Sequence, residues 1–374
     1  MAKDHARASR RRSRRRFLVG AATAGAAAVA MPQVSRAQPV TWKFQSTWSP
    51  KDIFHEFAVD YARKVNAMTG GRLKLQVLSA GAVIPTFQMA DAVHAGILDA
   101  AHGVCAYSYN KHKAYSLFGT PPSFGWDAHG LLAWFYHGGG EALYRELVND
   151  ILKLNLVGLL YFPMPTQPLG WFKKAIRTAD DLKDLKFRTV GLSADLFKEM
   201  GAAVTILPGG EVVRAMEHGV VDAAEYNNPT SDLALGLAEA SQYYMMGSHH
   251  QPAEEFEIII NKTRFDALPA ELQAMLRHAA FAASTDQLGI AYDRYPKDLE
   301  AIRKRGISVV KTAEAVLDAQ LAAWDRVIAA GSRDPFFAKV IASQKAWVKR
   351  TAPYLLINNL DTAALQAAYR HFFG

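Results

Sequence analysis

Two series of short apolar strands and amphipathic helices, parted by Pro163-Met164-Pro165, constrain the possible folds of this chain more than any other feature. Val40–Ser46 alternates like a half-buried strand, and the helical pattern over residues 53–69 stops at Gly70-Gly71. Leu73–Leu78 is a second strand, residues 87–96 a second helix and residues 98–103 a third, small-residue strand. That rhythm predicts parallel strands with helices on the sheet faces. Residues 155–162 are almost continuously apolar, as in a strand buried on both sides, and the prolines behind them mark a crossing into a second domain. There the series restarts, with strands over 169–172, 185–190, 203–206 and 221–225 and helices over 193–200 and 211–218. A return strand follows at 256–261. From residue 270 the chain reads as almost entirely helical, over 270–284, 313–330 and 335–351. The expected division is a first domain over 38–163 with about 250–290, a second over 164–249 with about 291–330, and C-terminal helices over 331–374.

The N-terminus reads as an export leader. Arg10 to Arg16 form a basic block, Ser13-Arg14-Arg15-Arg16-Phe17-Leu18 has the twin-arginine form, and Ser35-Arg36-Ala37 offers a small-x-small cleavage site. The Ala- and Gly-rich run between them falls short of the ~20 strongly apolar residues that a permanent anchor needs. Residues 1–37 hold nine Lys and Arg and one Asp. The whole chain has 43 basic and 35 acidic residues, so 34 of each remain and the formal charge falls from +8 to zero. Nucleic-acid and membrane-surface binding, which the high pI would suggest, lose their basis. A single cysteine, Cys105, excludes an intrachain disulfide and reads as a small buried hydrophobe.

Enzyme signatures are sparse. No Gly-x-Ser-x-Gly, Lys-Ser/Thr phosphate loop or His-Glu-x-x-His occurs. His249-His250, adjacent on an extended segment, would point to opposite faces and suits a surface or loop role. Asp180-Asp181 reads as a solvated helix start. What remains is a binding constellation at strand and loop ends: Gln167, Arg188, Glu225 with Tyr226, and Gln251, with Tyr107 just beyond a strand end, where a ring and its hydroxyl can wall a pocket. Strand ends of open α/β sheets hold ligands. An arginine there matches a carboxylate with two parallel hydrogen bonds and a charge that cannot be titrated away. A structural pairing of Arg188 with a protein acid fits the same residues.

Several blocks carry a resemblance across nearly the whole chain after the leader. They are Phe118-Gly119-Thr120, the Tyr136-His137-Gly138-Gly139-Gly140 run, Leu207-Pro208-Gly209-Gly210-Glu211, Glu217-His218-Gly219-Val220-Val221-Asp222-Ala223-Ala224-Glu225 and Asp232-Leu233-Ala234-Leu235-Gly236. In these the chain resembles the extracytoplasmic substrate-binding proteins of TRAP transporters, the DctP family, and within it the dimeric 2-oxoacid- and lactate-binding branch. The resemblance implies a two-domain α/β fold of the type II periplasmic-binding-protein kind, with a C-terminal helical extension and a cleft that closes on a small organic acid. It assigns the ligand carboxylate to Arg188. It also implies a sodium or calcium ion bridging ligand and protein through Gln167, Glu225 and the Tyr226 carbonyl, with no organic cofactor. Oxygen donors of this kind suit a hard cation. Implied partners are a TRAP membrane permease and a second copy of the chain, and the implied compartment is the periplasm. The chain departs from the pattern at three places. Tyr226 stands where tryptophan is usual, Tyr107-Ser108-Tyr109 replaces Tyr-Tyr-Trp, and Gln251, counted with the metal residues, replaces a frequent glutamate. A binder of another carboxylate class, and a periplasmic enzyme exported folded around a cofactor, are the competing readings.

Overall fold

In a computed structural model that describes residues 39–374, eleven strands form two mixed sheets. The leader expected over residues 1–37 lies outside the described residues. The strands are β1 Val40–Ser46, β2 Leu73–Leu78, β3 Ala100–Val104, β4 Leu156–Met164, β5 Gly170–Phe172, β6 Lys186–Arg188, β7 Ala203–Thr205, β8 Ala223–Ala224, β9 Tyr243–Met246, β10 Glu254–Asn261 and β11 Ser308–Lys311. The first sheet has the order β2-β1-β3-β10-β4 and the second β11-β9-β5-β8-β6-β7. β1 pairs in parallel with β2 and β3 as the sequence rhythm predicts, but β10 runs antiparallel between β3 and β4, and β5 runs antiparallel to β8 and β9. The departure from a parallel sheet has a physical cause. β10 re-enters the lobe built on the first sheet, the first lobe, from the lobe built on the second sheet, so it starts at the end where the parallel strands finish. β9 and β11 were not legible in the sequence. Each is only four residues long, and β11 is an edge strand inside the stretch that reads as helical.

Among the described residues, the helices of seven residues or more are α1 Ile53–Met68, α2 Ala128–His137, α3 Ser193–Glu199, α4 Pro229–Leu235, α5 Ala270–Lys304, α6 Glu314–Gly331, α7 Pro335–Asn358 and α8 Thr362–Phe373. The glycines after Trp134-Phe135-Tyr136-His137 mark a break in the sequence, and α2 indeed ends at Gly138, with Gly139 at φ +92°. A Cβ on Gly138 would come within 2.7 Å of both Trp134 and Trp347, so the glycine lets α7 dock against α2. α5 does not stop at Ser284 but runs 35 residues, through Pro296. The first part of α7 is fastened to the core by Phe336, Phe337, Val340, Ile341 and Val348. From residue 351 to the C-terminus no residue is buried.

Both sheets bury strong polar groups. β10 is buried along its whole length although it carries Glu254, Glu255 and Glu257. Glu257 accepts from the Tyr144 hydroxyl, whereas neither oxygen of Glu255 has a partner among the described residues. Burial, with Glu254 and Asp127 adding like charge, raises the Glu255 carboxyl well above its ordinary range. The folded protein therefore keeps a proton that the unfolded chain releases near pH 4–5. Its contribution to stability is present in acid and is lost as pH rises toward the folded value. Glu255→Gln is expected to raise the unfolding free energy by about 1–3 kcal/mol at pH 8 and to change little at pH 4. Thermal melts followed by circular dichroism across that range check this; an unchanged Tm at pH 8 would show that the carboxylate is solvated inside the protein.

Candidate ligand site between the two lobes

Arg188 closes the short strand β6, whose neighbours β7 and β8 run parallel to it. Register places Arg188 beside Ala224, so Glu225 follows at the same end of the sheet. The guanidinium is 1% exposed and heavily engaged. Nε and Nη2 both donate to Leu207 O, at 2.9 and 2.7 Å, while Nη1 donates to Glu225 O at 2.7 Å and to Glu225 Oε1 at 3.1 Å. Of the five N–H groups of a guanidinium, four are used in this way. The structural pairing that the sequence left open is thus present. The fork expected to grip a ligand carboxylate with two parallel bonds is turned to Leu207 O instead.

Arg188 nonetheless faces a small cavity. Trp48, Phe54, Val104 and Tyr107 wall it from the first lobe, at the ends of β1 and β3. Val190, Tyr226 and Asn227 wall it from the second lobe, with Gln167 and Glu254 entering from the two segments that cross between the lobes. Trp48 is held by a relay: its Nε1–H donates to His102 Nδ1 at 2.7 Å, and His102 Nε2 meets the Tyr161 hydroxyl at 2.6 Å. Burial pushes His102 down to about 3, so the relay is neutral. Gly209 is required by the Tyr226 ring, because a Cβ there would lie 2.0 Å from it. The Arg188 guanidinium lies 5.9 Å from the centre of the same ring.

The electrostatics leave the site short of positive charge. Burial raises Glu225 to about 7 against the pull of Arg188. Burial raises Glu254 to about 8, opposed by its hydrogen bond from Gln167 and reinforced by Glu225. Tyr107 is likewise raised by burial, with Arg188 opposing. Gln167 and Asn227 both donate to Glu254 Oε2, the latter at 2.7 Å. Gln167 Oε1 and Glu225 Oε2 are buried without a hydrogen-bond partner among the described residues; Thr189 and Val190 favour the charged form of Glu225 but do not reach Oε2 at bonding distance. Unmet oxygens of an amide and a carboxylate, beside a second carboxylate, form the donor set that a hard cation takes.

The structure therefore brings together Tyr107, Gln167, Arg188, Glu225 and Tyr226. Neither Glu225, which joins the site through Arg188, nor Gln251 is among the residues that wall the cavity: the Gln251 backbone oxygen accepts from Gln167 N–H at 3.2 Å, and neither end of its buried side chain is paired among the described residues. The acid at the site is Glu254, three residues further on. Sequence reasoning began the return strand at Phe256 and so missed it. The signal was there, in three carboxylates within one wholly buried strand. His249 and His250 lie in the loop between β9 and β10, as expected, but His250 is buried and pushed down to about 3, with Nδ1 2.7 Å from the Ser248 hydroxyl.

Comparison with known proteins places this geometry. Residues 44–333 match the sequence profile of the DctP family, bacterial extracellular solute-binding protein family 7. The monocarboxylate 2-oxoacid-binding periplasmic protein of Nostoc is 31% identical over 328 residues, 86% of this chain and 88% of that protein. A TRAP transporter solute-binding protein from Bordetella bronchiseptica, a mixed-occupancy dimer with copurified calcium and picolinate in one site, superposes with a TM-score of 0.85 at 26% identity, over 90% of this chain and 100% of that one. A periplasmic one from Pseudoalteromonas atlantica, with bound sodium and pyruvate, superposes at 0.81 and 28% identity, with the same coverage. The chain belongs to the DctP family of bacterial extracellular solute-binding proteins. It is a binding protein and not an enzyme, with the family's two-domain α/β fold. No helix among the described residues is long and apolar enough to cross a membrane.

Proposed function

We propose that the protein captures a small 2-oxo or 2-hydroxy monocarboxylate together with a sodium or calcium ion in the periplasm, after export by the twin-arginine route, and delivers it to a TRAP permease. The observation that carries this reading is the pair of buried oxygens unmet among the described residues, Gln167 Oε1 on the cavity wall and Glu225 Oε2 on the carboxylate paired with Arg188. A cation at these oxygens and at Glu254 would neutralise the acids and release Arg188 from Glu225, so that the guanidinium can turn toward the ligand. The remaining Nη2 hydrogen of Arg188 and the Tyr107 hydroxyl are donors for its carboxylate and its 2-oxygen. In this reading the domains are residues 38–163 with about 250–290 and residues 164–249 with about 291–330, joined through residues 164–169 and 247–253. Mass spectrometry of small molecules released from the unfolded purified protein, with metal analysis of the same sample, tests the reading. One monocarboxylate and one ion per chain support it; an amino acid, or no ion, overturns it.

The C-terminus extends the proposal to a homodimer. Leu356 is 79% and Ile357 87% exposed, and Leu360, Leu365, Phe372 and Phe373 are exposed beside them along α7 and α8. A helix pair with its apolar face in water needs a partner, and a second copy supplies one by symmetric exchange of α8. Light scattering is expected to give a dimer for the whole protein and a monomer for a chain ending at residue 350, with ligand binding retained. A full-length monomer would remove this part of the reading.

A further inference from the structure

Asp52 lies in the loop between β1 and α1, on the first lobe, and is completely buried. Its Oδ1 accepts from Phe54 N–H at 3.0 Å, which caps α1, and from the Ser231 hydroxyl at 2.6 Å. Its Oδ2 accepts from the Tyr226 hydroxyl at 2.5 Å. Tyr226 and Ser231 both follow β8, so one carboxylate of the first lobe is held by two hydroxyls of the second. The Tyr226 ring walls the ligand cavity. A helix cap needs only a side-chain acceptor and leaves the rest of the carboxylate in water. Full burial across a lobe boundary is tolerated only when the remaining lone pairs are met, and here they are met by the opposite lobe. Parting the lobes separates Asp52 from Tyr226 and Ser231 but leaves its bond to Phe54.

We propose that Asp52 is the latch of the closed state, a positioning residue that fixes the Tyr226 ring against the ligand and thereby sets how long the ligand stays bound. This rests on the ligand site proposed above. The cap is a local property of α1 and the latch a property of closure, and one substitution separates them. Serine caps a helix as well as aspartate does, yet it is too short to reach Tyr226. Asp52→Ser therefore preserves the helix and removes the latch.

The test uses the purified protein, with pyruvate and calcium as probes and stopped-flow tryptophan fluorescence as the readout. Asp52→Ser and Tyr226→Phe are each expected to speed ligand release about tenfold, the worth of a hydrogen bond to a charged group, with association within about twofold of the parent. The double variant is expected to release no faster than the faster single, since both changes remove one bond. Additive effects in the double, or parental release rates in both singles, overturn the latch. If the parent takes up no pyruvate, the functional reading fails on its own and the latch is read without ligand. Amide exchange over residues 226–232 must then quicken in Asp52→Ser while β1 is unchanged; equal exchange over 226–232 overturns it.

Discussion

Arg188→Ala is expected to abolish carboxylate binding and, in the same molecule, to lower the unfolding free energy by about 3–5 kcal/mol. The two effects share a cause. The guanidinium meets Leu207 O through two donors and Glu225 through two more, so truncation leaves a buried carboxylate without its counter-charge. Isothermal titration with pyruvate gives the first effect and urea denaturation followed by circular dichroism the second. Adding Glu225→Gln to Arg188→Ala separates them: stability is expected to recover in part, because the stranded charge is gone, while binding stays absent. A variant that is destabilised and still binds with parental affinity would reduce Arg188 to a structural residue.

Removal of the cation is expected to weaken ligand binding by about 100-fold or more. Glu225 and Glu254 face one guanidinium, and a monocarboxylate brings a third negative group into the same cavity; at an effective dielectric near 20, one such pair at 4 Å costs about 4 kcal/mol. The sign of the pH dependence follows from the two raised carboxyls. With the cation gone, Glu225, held at about 7, and Glu254, held at about 8, take up protons below those values and relieve the repulsion themselves. Above pH 8 both are ionised and nothing replaces the ion. The affinity lost on chelation in sodium-free buffer is therefore expected to be larger at pH 9 than at pH 6, and to return on adding calcium or sodium. Titrations at the two pH values check both size and direction; equal affinity with and without ions would mean that the protein alone holds the ligand.

Much of the fold was legible because its signals are local. β1 and β2 come from alternation alone, and the break in α2 from a glycine run. What could not be read depends on contacts distant in sequence. β11 is four residues long and exists by pairing with β9, and the antiparallel course of β10 is fixed by where the chain leaves the second lobe. At the site, Arg188, Glu225 and Gln167 could be named because their residue types suit the chemistry. The direction of the Arg188 fork could not, since it is set by the Leu207 carbonyl nineteen positions away. Glu254 shows the opposite failure: a buried acid in an apolar strand was a visible anomaly, and a late strand start hid it. Asp52 was not singled out in the sequence at all, and only the folded arrangement gives it two partners from the other lobe.

The 35-residue α5 spans this same boundary. Early in its course the Tyr61 hydroxyl reaches Leu276 O and Gln287 reaches Phe57 O, both on the first lobe; later the Thr230 hydroxyl meets Asp298, and β11 follows into the second sheet. Two short segments, the stiff α5, and the junction between α6, which packs on α3, and α7, which packs on α2, thus join the halves, and α5 carries Pro296, where a backbone hydrogen bond is missing. Halves tethered at four places, one of them a rigid helix, are held against sliding past each other. Each bite then returns the facing residues to the same register, so recognition does not have to be found anew on every cycle.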